Sequence, residues 1–298
     1  MTRPLPPRFD AMVAPARLRP QIWRLIVGLI LAAAIYAAVI ALAAGSGWVF
    51  GGTDALRWFF EGATGKGSAP QTLVLLITFA GLALGTAAAA RLLHKRRAAT
   101  LFGPDPARTR RDALRCFAVV FAVLTVSVVI AAASMDFKPN LPLSAWLLWL
   151  APAFALLILQ VSAEEMIFRG YVQTQLAARF RSPLVWMVLP AAVFGLAHFN
   201  PMDAGANAWV IVGAAALFGL IAADLTAQSG NLGAAIGFHL ANNVFAVLIV
   251  AVDGTITGLS LYLTPFSADE VMVTRPMLIQ DGLMMILAWA LCRLAIRR

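Results

Sequence analysis

The feature that most constrains this chain is its series of long apolar runs. Several reach about 20 residues, the length at which a helix crosses the hydrocarbon core of a bilayer. Of the 298 residues, 61% are hydrophobic and only 12% charged, whereas a water-soluble domain carries about 25% charged residues. The chain therefore reads as an all-α polytopic membrane protein of about eight transmembrane helices, with a polar cluster inside the helix bundle. The expected spans cover about 22–44, 71–93, 114–133, from 145 onward, 184–199, 208–226, 232–252 and 277–296. No run between them is long enough for a separate soluble domain.

Residues 1–21 read as a flexible basic cytoplasmic arm, in which Pro4, Pro6, Pro7, Pro15 and Pro20 prevent a helix. The apolar run that follows is too long for a signal-peptide core and reads as a retained first span. Residues 22–298 then form a single transmembrane helical domain, with a catalytic core at about 145–252. Trp48, Trp58, Phe59 and Phe60 fall in an expected loop over 48–70, where aromatic rings suit the membrane interface. A second long loop is expected over 253–276. Cys116 and Cys292 are far apart in sequence and lie in apolar runs, which excludes a disulfide framework.

The net charge of +9 gathers beside the spans, so it points to the lipid bilayer and not to nucleic acid. Assigning 1–24, 91–115, 164–181 and 293–298 to one side places 19 of the 23 lysines and arginines there. Under the positive-inside rule that side is cytoplasmic, and both termini lie on it. The cluster His94-Lys95-Arg96-Arg97 reads as a topology determinant touching anionic lipid.

Against this apolar background three polar motifs stand out. The first is Glu164-Glu165 with Arg169. Glu165 and Arg169 are four residues apart, so they share a helix face and can pair. Glu164 lies about 100° round the helix and points to another neighbour. The second is Phe194 with His198. The third is His239 with Asn243, again four apart, with Asn242 a weaker candidate for the same face. Singly, an adjacent glutamate pair reads as a solvated helix end and a histidine near a span end as packed or interfacial. His239 and Asn243 can also simply bridge helices. Gly213, Gly219 and Gly237 read as points of close helix contact. The joint occurrence of three motifs in one half of an apolar chain shifts the balance, because ionisable groups within membrane spans are costly and are read as functional.

The combination suits peptide hydrolysis. A carboxylate can act as general base on water, and an imidazole beside it can orient that water or shuttle a proton. Donors on another helix can hold the charge that develops on a scissile carbonyl. No serine or cysteine has an adjacent base, which disfavours a covalent acyl-enzyme. Other readings of intramembrane Glu and His are a proton-coupled transporter and a non-catalytic membrane scaffold.

At these residues the sequence resembles the CAAX prenyl endopeptidase and bacteriocin-processing family (CPBP, also called Abi) of intramembrane proteases. The family motifs EExxxR, FxxxH and HxxxN read here as Glu164 to Arg169, Phe194 to His198 and His239 to Asn243. The resemblance covers about residues 145–252. It implies a glutamate-type endopeptidase acting on a peptide or protein substrate in or at the membrane. Glu164 would be the general base, assisted by His198. His239 and Asn243 would form the oxyanion site, with Glu165 and Arg169 as a supporting pair. No cofactor is expected, although Glu164, His198 and His239 also form an acceptable zinc set with an open water position.

Depth along the helices leaves one tension. From Ala145, Glu164 lies about 28 Å along its span, whereas His198 and His239 lie about 21 Å and 10 Å along theirs. Convergence requires tilt or a displaced helix. The expected cavity is water-filled, opens to the cytoplasmic side and holds the cluster in the inner half of the membrane.

Overall fold

The computed structural model describes residues 5–63 and 67–297. Arg3, Pro4, Lys66 and Arg298, which entered the arm and the charge count, lie outside the described residues. The chain runs α1 (Pro7–Val13), a 3-10 turn (Ala14–Leu18), α2 (Ile22–Ala63), α3 (Ala69–His94), α4 (Ala99–Phe102) and α5 (Pro106–Ala132). The strand β1 (Lys138–Pro139) follows, then α6 (Leu143–Glu165), a π-helical stretch (Met166–Gln173) and α7 (Thr174–Arg179). A π-helical turn (Leu184–Val188) leads into α8 (Leu189–Leu196), followed by α9 (Pro201–Ala204), α10 (Ala208–Ser229) and α11 (Gly233–Asn243). A third π-helical turn (Val244–Ile249), β2 (Val250–Asp253), β3 (Tyr262–Ser267) and α12 (Val271–Ala295) complete it.

Among the described residues six helices are long and apolar enough to cross a membrane, and two shorter apolar ones span Leu184–Leu196 and Gly233–Ile249. The protein is therefore a multi-pass all-α membrane protein, as the apolar runs imply. Local chemistry sets the helix starts. Ser68 and Gln71 form a capping box at α3, and Asp105 accepts the Arg108 amide at the start of α5, with Pro106 in the first turn. Gly230 ends α10 in the left-handed region at φ 72°.

Hydrogen bonds gather the basic segments at one end of the bundle. The Arg24 guanidinium donates to the Leu93 carbonyl at 3.1 Å and Arg115 to the Ala295 carbonyl at 3.3 Å. At that end Asn231 donates to Asp112 at 2.9 Å. At the opposite end β1 pairs antiparallel with β3, and β2 pairs parallel with it. Asn140 ties this sheet to the Thr257 and Ser260 carbonyls at 2.8 Å each.

Four expectations need correction. Residues 7–18 are helical, and Phe9, Met12, Val13 and Ala16 are buried. Prolines at first-turn positions start helices there instead of preventing them, and Phe9 seats its ring 5.2 Å from Trp186. The expected loop over 48–70 is largely helix, because α2 runs on past a break at Gly52 (φ 67°). Trp48, Trp58 and Phe60 lie exposed on this extension. The expected loop over 253–276 carries β3, the start of α12 and the last residue of β2. The cluster 94–97 does not simply face lipid. His94 is buried with Nδ1 donating to the Arg19 carbonyl at 2.8 Å, and Arg96 is buried with its guanidinium on Thr174 at 2.9 Å. Burial pushes the Arg96 guanidinium down to about 10.

Glycines behave unevenly. A Cβ at Gly237 would strike the Ala113 carbonyl of α5, and one at Gly219 would meet Ala191 of α8 at 3.0 Å, so both permit close helix approach. Gly213 has nothing within 4 Å and does no such work. Cys116 and Cys292, distant in sequence, are brought together, with the Cys292 thiol 3.8 Å from the Cys116 carbonyl.

Candidate active site

The helix that begins at Leu143 continues without a gap to Arg179, 37 residues in all. Glu164 therefore stands about 32 Å from its first residue and about 22 Å from its last, well inside the helix and not at its rim. Glu164 nevertheless comes within 3.7 Å of His239, so the two converge although they stand at different distances along their helices. π-helical backbone follows the glutamate pair and again follows Asn243. Such stretches occur often at functional sites, where they redirect side chains.

Glu165 is fully buried, and its Oε1 accepts two hydrogen bonds, from the Arg169 guanidinium at 3.0 Å and from His239 Nδ1 at 2.8 Å. Arg169 also donates to the Gly219 carbonyl at 3.1 Å. Its guanidinium carbon lies 4.7 Å from the centre of the Phe194 ring. The expected Glu165–Arg169 pair is thus formed and links α6, its π-helical continuation, α8, α10 and α11. Both bonds fall on Oε1, and Oε2 of Glu165 is buried without a hydrogen-bond partner, so the pair's Coulombic attraction has to offset the loss of water.

The other ring nitrogen of His239, Nε2, lies 3.7 Å from Oε2 of Glu164, whose side chain is 15% exposed. Glu164 and Glu165 therefore flank the same imidazole from two sides. With Nδ1–H donated to Glu165, Nε2 is the ring atom that faces Glu164, and the hydrogen-bond network assigns this tautomer. The Phe218 ring packs at 66° to His239 with centres 4.7 Å apart and holds the imidazole plane.

Asn243 donates to Gln160 Oε1 at 2.9 Å. Gln160 precedes Glu164 by four residues on the same face of α6, a signal present in the sequence as a lone amide in an apolar run. His198 is exposed, and its Nδ1 donates to the Phe194 carbonyl at 2.8 Å. In the neutral ring this leaves Nε2 as an acceptor. Its ring lies 4.7 Å from that of Phe194.

A cavity of about 520 Å³ is lined by His198, His239, Asn242 and Asn243. It extends past Phe137, Val252 and Thr264, towards the sheet end of the bundle. The expectation of a cavity opening at the basic end is corrected by these linings. At the basic end α11 packs closely on α5 through Gly237 and Gly233, and the cavity there, about 350 Å³ and lined by Phe102, Thr109, Arg110 and Gly233, contains none of the motif residues.

The structure brings Glu164, Glu165, Arg169 and His239 into one network and places His239, Asn243 and His198, but not Glu164, on the lining of the cavity. No hydrogen bond joins Glu164 to His198 among the described residues. Nor do three or more His, Cys, Asp or Glu side chains among them converge in a group that could hold a metal ion. Gln160 and Asp281 of α12, which also lines the cavity, went unremarked in the sequence.

Helices, buried ion pair and polar cavity together define a polytopic membrane protein with an acid–histidine site in its bundle. Residues 144–245 match the family of the Type II CAAX prenyl endopeptidase Rce1-like proteins, and that stretch contains all three motifs. The resemblance to the CPBP proteases is borne out, and the match supports a membrane peptidase kind. A relative is the "Uncharacterized protein YyaK" of Bacillus subtilis (strain 168), 27% identical over 176 residues, which are 57% of this chain and 58% of that protein. The chain thus spans a little over half the length of that curated relative. No solved structure matches it.

Proposed function

We propose that this protein is an intramembrane endopeptidase that hydrolyses peptide bonds of membrane-associated substrates with a water activated by Glu164. The observation that carries the reading is His239 held between the two glutamates, 2.8 Å from Glu165 and 3.7 Å from Glu164. Glu165, neutralised by Arg169, fixes the ring through Nδ1. Nε2 is thereby turned to the reacting side, where it donates to a developing oxyanion when the ring carries both protons.

Glu164 is partly exposed and has no cationic side chain fixed on it at hydrogen-bond distance, so one of its oxygens can take a proton from water. The water oxygen attacks the scissile carbonyl, and the proton held on Glu164 passes to the leaving amine. Asn243, oriented by Gln160, supplies a second donor to the oxyanion. A pre-aimed donor of this kind is worth about 3 kcal/mol in the transition state. His198 presents Nε2 to the cavity and assists in placing the water. None of these roles requires a metal ion. Both termini and the basic end of the bundle face the cytoplasm in this reading, since 19 of the 23 basic residues lie in the segments gathered there.

The test is a comparison of peptide termini in membranes containing the native protein or Glu164→Ala. New termini that appear only with the native protein support the reading. Identical termini in both membranes defeat it.

A further inference from the structure

The carboxylate that lines this cavity is not Glu164, which lies behind His239, but one that the reaction above does not use. Asp281 of α12 lines it together with Gln280. Between Arg275 and Arg293 it is the sole charged residue of that helix, about 15 Å from the helix start at Val271. A charge in such a span is costly and is retained where it faces a cavity or a partner. Among the described residues no cation or hydrogen-bond donor is paired with Asp281. The surrounding wall is apolar and adaptable: Met277, Met284 and Met285 lie on the same helix, and Phe245 and Phe266 face the same space. Methionine side chains re-pack around varied apolar groups.

The charge of this end of the bundle points the same way. The segments 48–70, 133–144, 200–207 and 250–281 hold eight Asp or Glu against four Lys or Arg, the reverse of the chain as a whole. Two of those bases are already engaged: Lys138 lies 3.6 Å from Asp253, and Arg275 donates to Asn207 at 3.1 Å. A cavity that opens at an acidic end, with low-dielectric walls, focuses an attractive field on cations. One carboxylate with no second acidic or histidine ligand does not make a divalent metal site. A lysine or arginine side chain fits better, because its aliphatic stem can lie along apolar walls while its charged head reaches an acid.

We propose that Asp281 is a cation-binding subsite of this cavity, which takes the ammonium or guanidinium of a Lys or Arg in an otherwise apolar peptide segment. The subsite would set substrate preference at a position away from the bond cleaved. The cleavage part of this inference rests on the peptidase reading, whereas the binding part does not.

The experiment uses full-length Glu164→Gln protein in detergent and three short fluorescent apolar peptides, identical except for a central Lys, norleucine or Glu. The Lys peptide is expected to bind roughly tenfold more tightly than the norleucine peptide, the scale of a hydrogen bond to a charged group. Adding Asp281→Asn should abolish that preference without changing norleucine binding. Asp281→Glu should retain it, and Asp281→Lys should favour the Glu peptide. Melting curves of each variant establish that it is folded. Equal binding of Lys and norleucine peptides, weak binding of all three, or a Lys preference that survives Asp281→Asn overturns the subsite. With Glu164 intact, the ratio of kcat/KM for Lys over norleucine should fall about tenfold in Asp281→Asn. Tight, Asp281-dependent binding with no cleavage would leave the subsite standing and remove the peptidase reading. Glu164-dependent cleavage indifferent to the central residue would do the opposite.

Discussion

Replacing Glu165 by Gln separates the two adjacent glutamates most sharply. Glu165 is fully buried, and one of its oxygens accepts from both Arg169 and His239 at 3.0 and 2.8 Å. The glutamine keeps an oxygen for His239 but removes the negative charge. Arg169, itself buried, is left with the Gly219 carbonyl and the Phe194 ring. Breaking a buried pair by removing one partner costs about 3–5 kcal/mol, and Arg169→Gln should cost a similar amount. The double variant leaves no unpaired charge, so it should be more stable than the sum of the two single losses implies, by at least about 1.5 kcal/mol. Reversible unfolding in mixed detergent micelles, followed for all four proteins, measures this coupling. Additive losses would show that the pair is not an energetic unit, and a stable Glu165→Gln protein without activity would show that the roles of the glutamates are exchanged.

Four further outcomes follow from the geometry. Gln160→Leu should lower kcat by roughly tenfold while leaving the melting temperature nearly unchanged, since it frees Asn243 from its 2.9 Å partner; an unchanged kcat would remove Asn243 orientation from the mechanism. Gly237→Leu drives a side chain into the Ala113 backbone and should destabilise the protein by about 3 kcal/mol or prevent folding; normal stability would mean that α5 and α11 are farther apart than described. Purified protein should contain no stoichiometric zinc, and elemental analysis giving one zinc per chain, lost in His198→Ala and His239→Ala, would require a metal mechanism. In a Cys-free background, a cysteine at Arg97 should react with membrane-impermeant reagent only from the cytoplasmic side, and labelling from outside alone would invert the topology.

Much of this architecture was readable in the residues because bilayer length and apolar composition leave a chain few options. The pairing of Glu165 with Arg169 followed from four-residue spacing alone. The grip of Glu165 on His239 did not, because it depends on how α6 and α11 cross, which no local pattern encodes. The arm was misread because its prolines stand at helix starts, where the missing amide costs nothing. The sheet was hidden because β1 has two residues and β2 meets β3 through an irregular register, too little for a visible alternation. Gln160 and Asp281 were overlooked as single polar residues in apolar runs, although a membrane span makes such single residues informative.

The central claim is that Glu164 activates the water. Its most direct measurement is the single-turnover cleavage rate of purified, membrane-reconstituted native protein and Glu164→Gln on the same substrate, with unfolding curves recorded for both. Loss of a general base should lower the rate at least about a hundredfold with the unfolding transition unchanged. A Glu164→Gln protein that cleaves within about threefold of native, well inside the range expected for an intact general base, would contradict it.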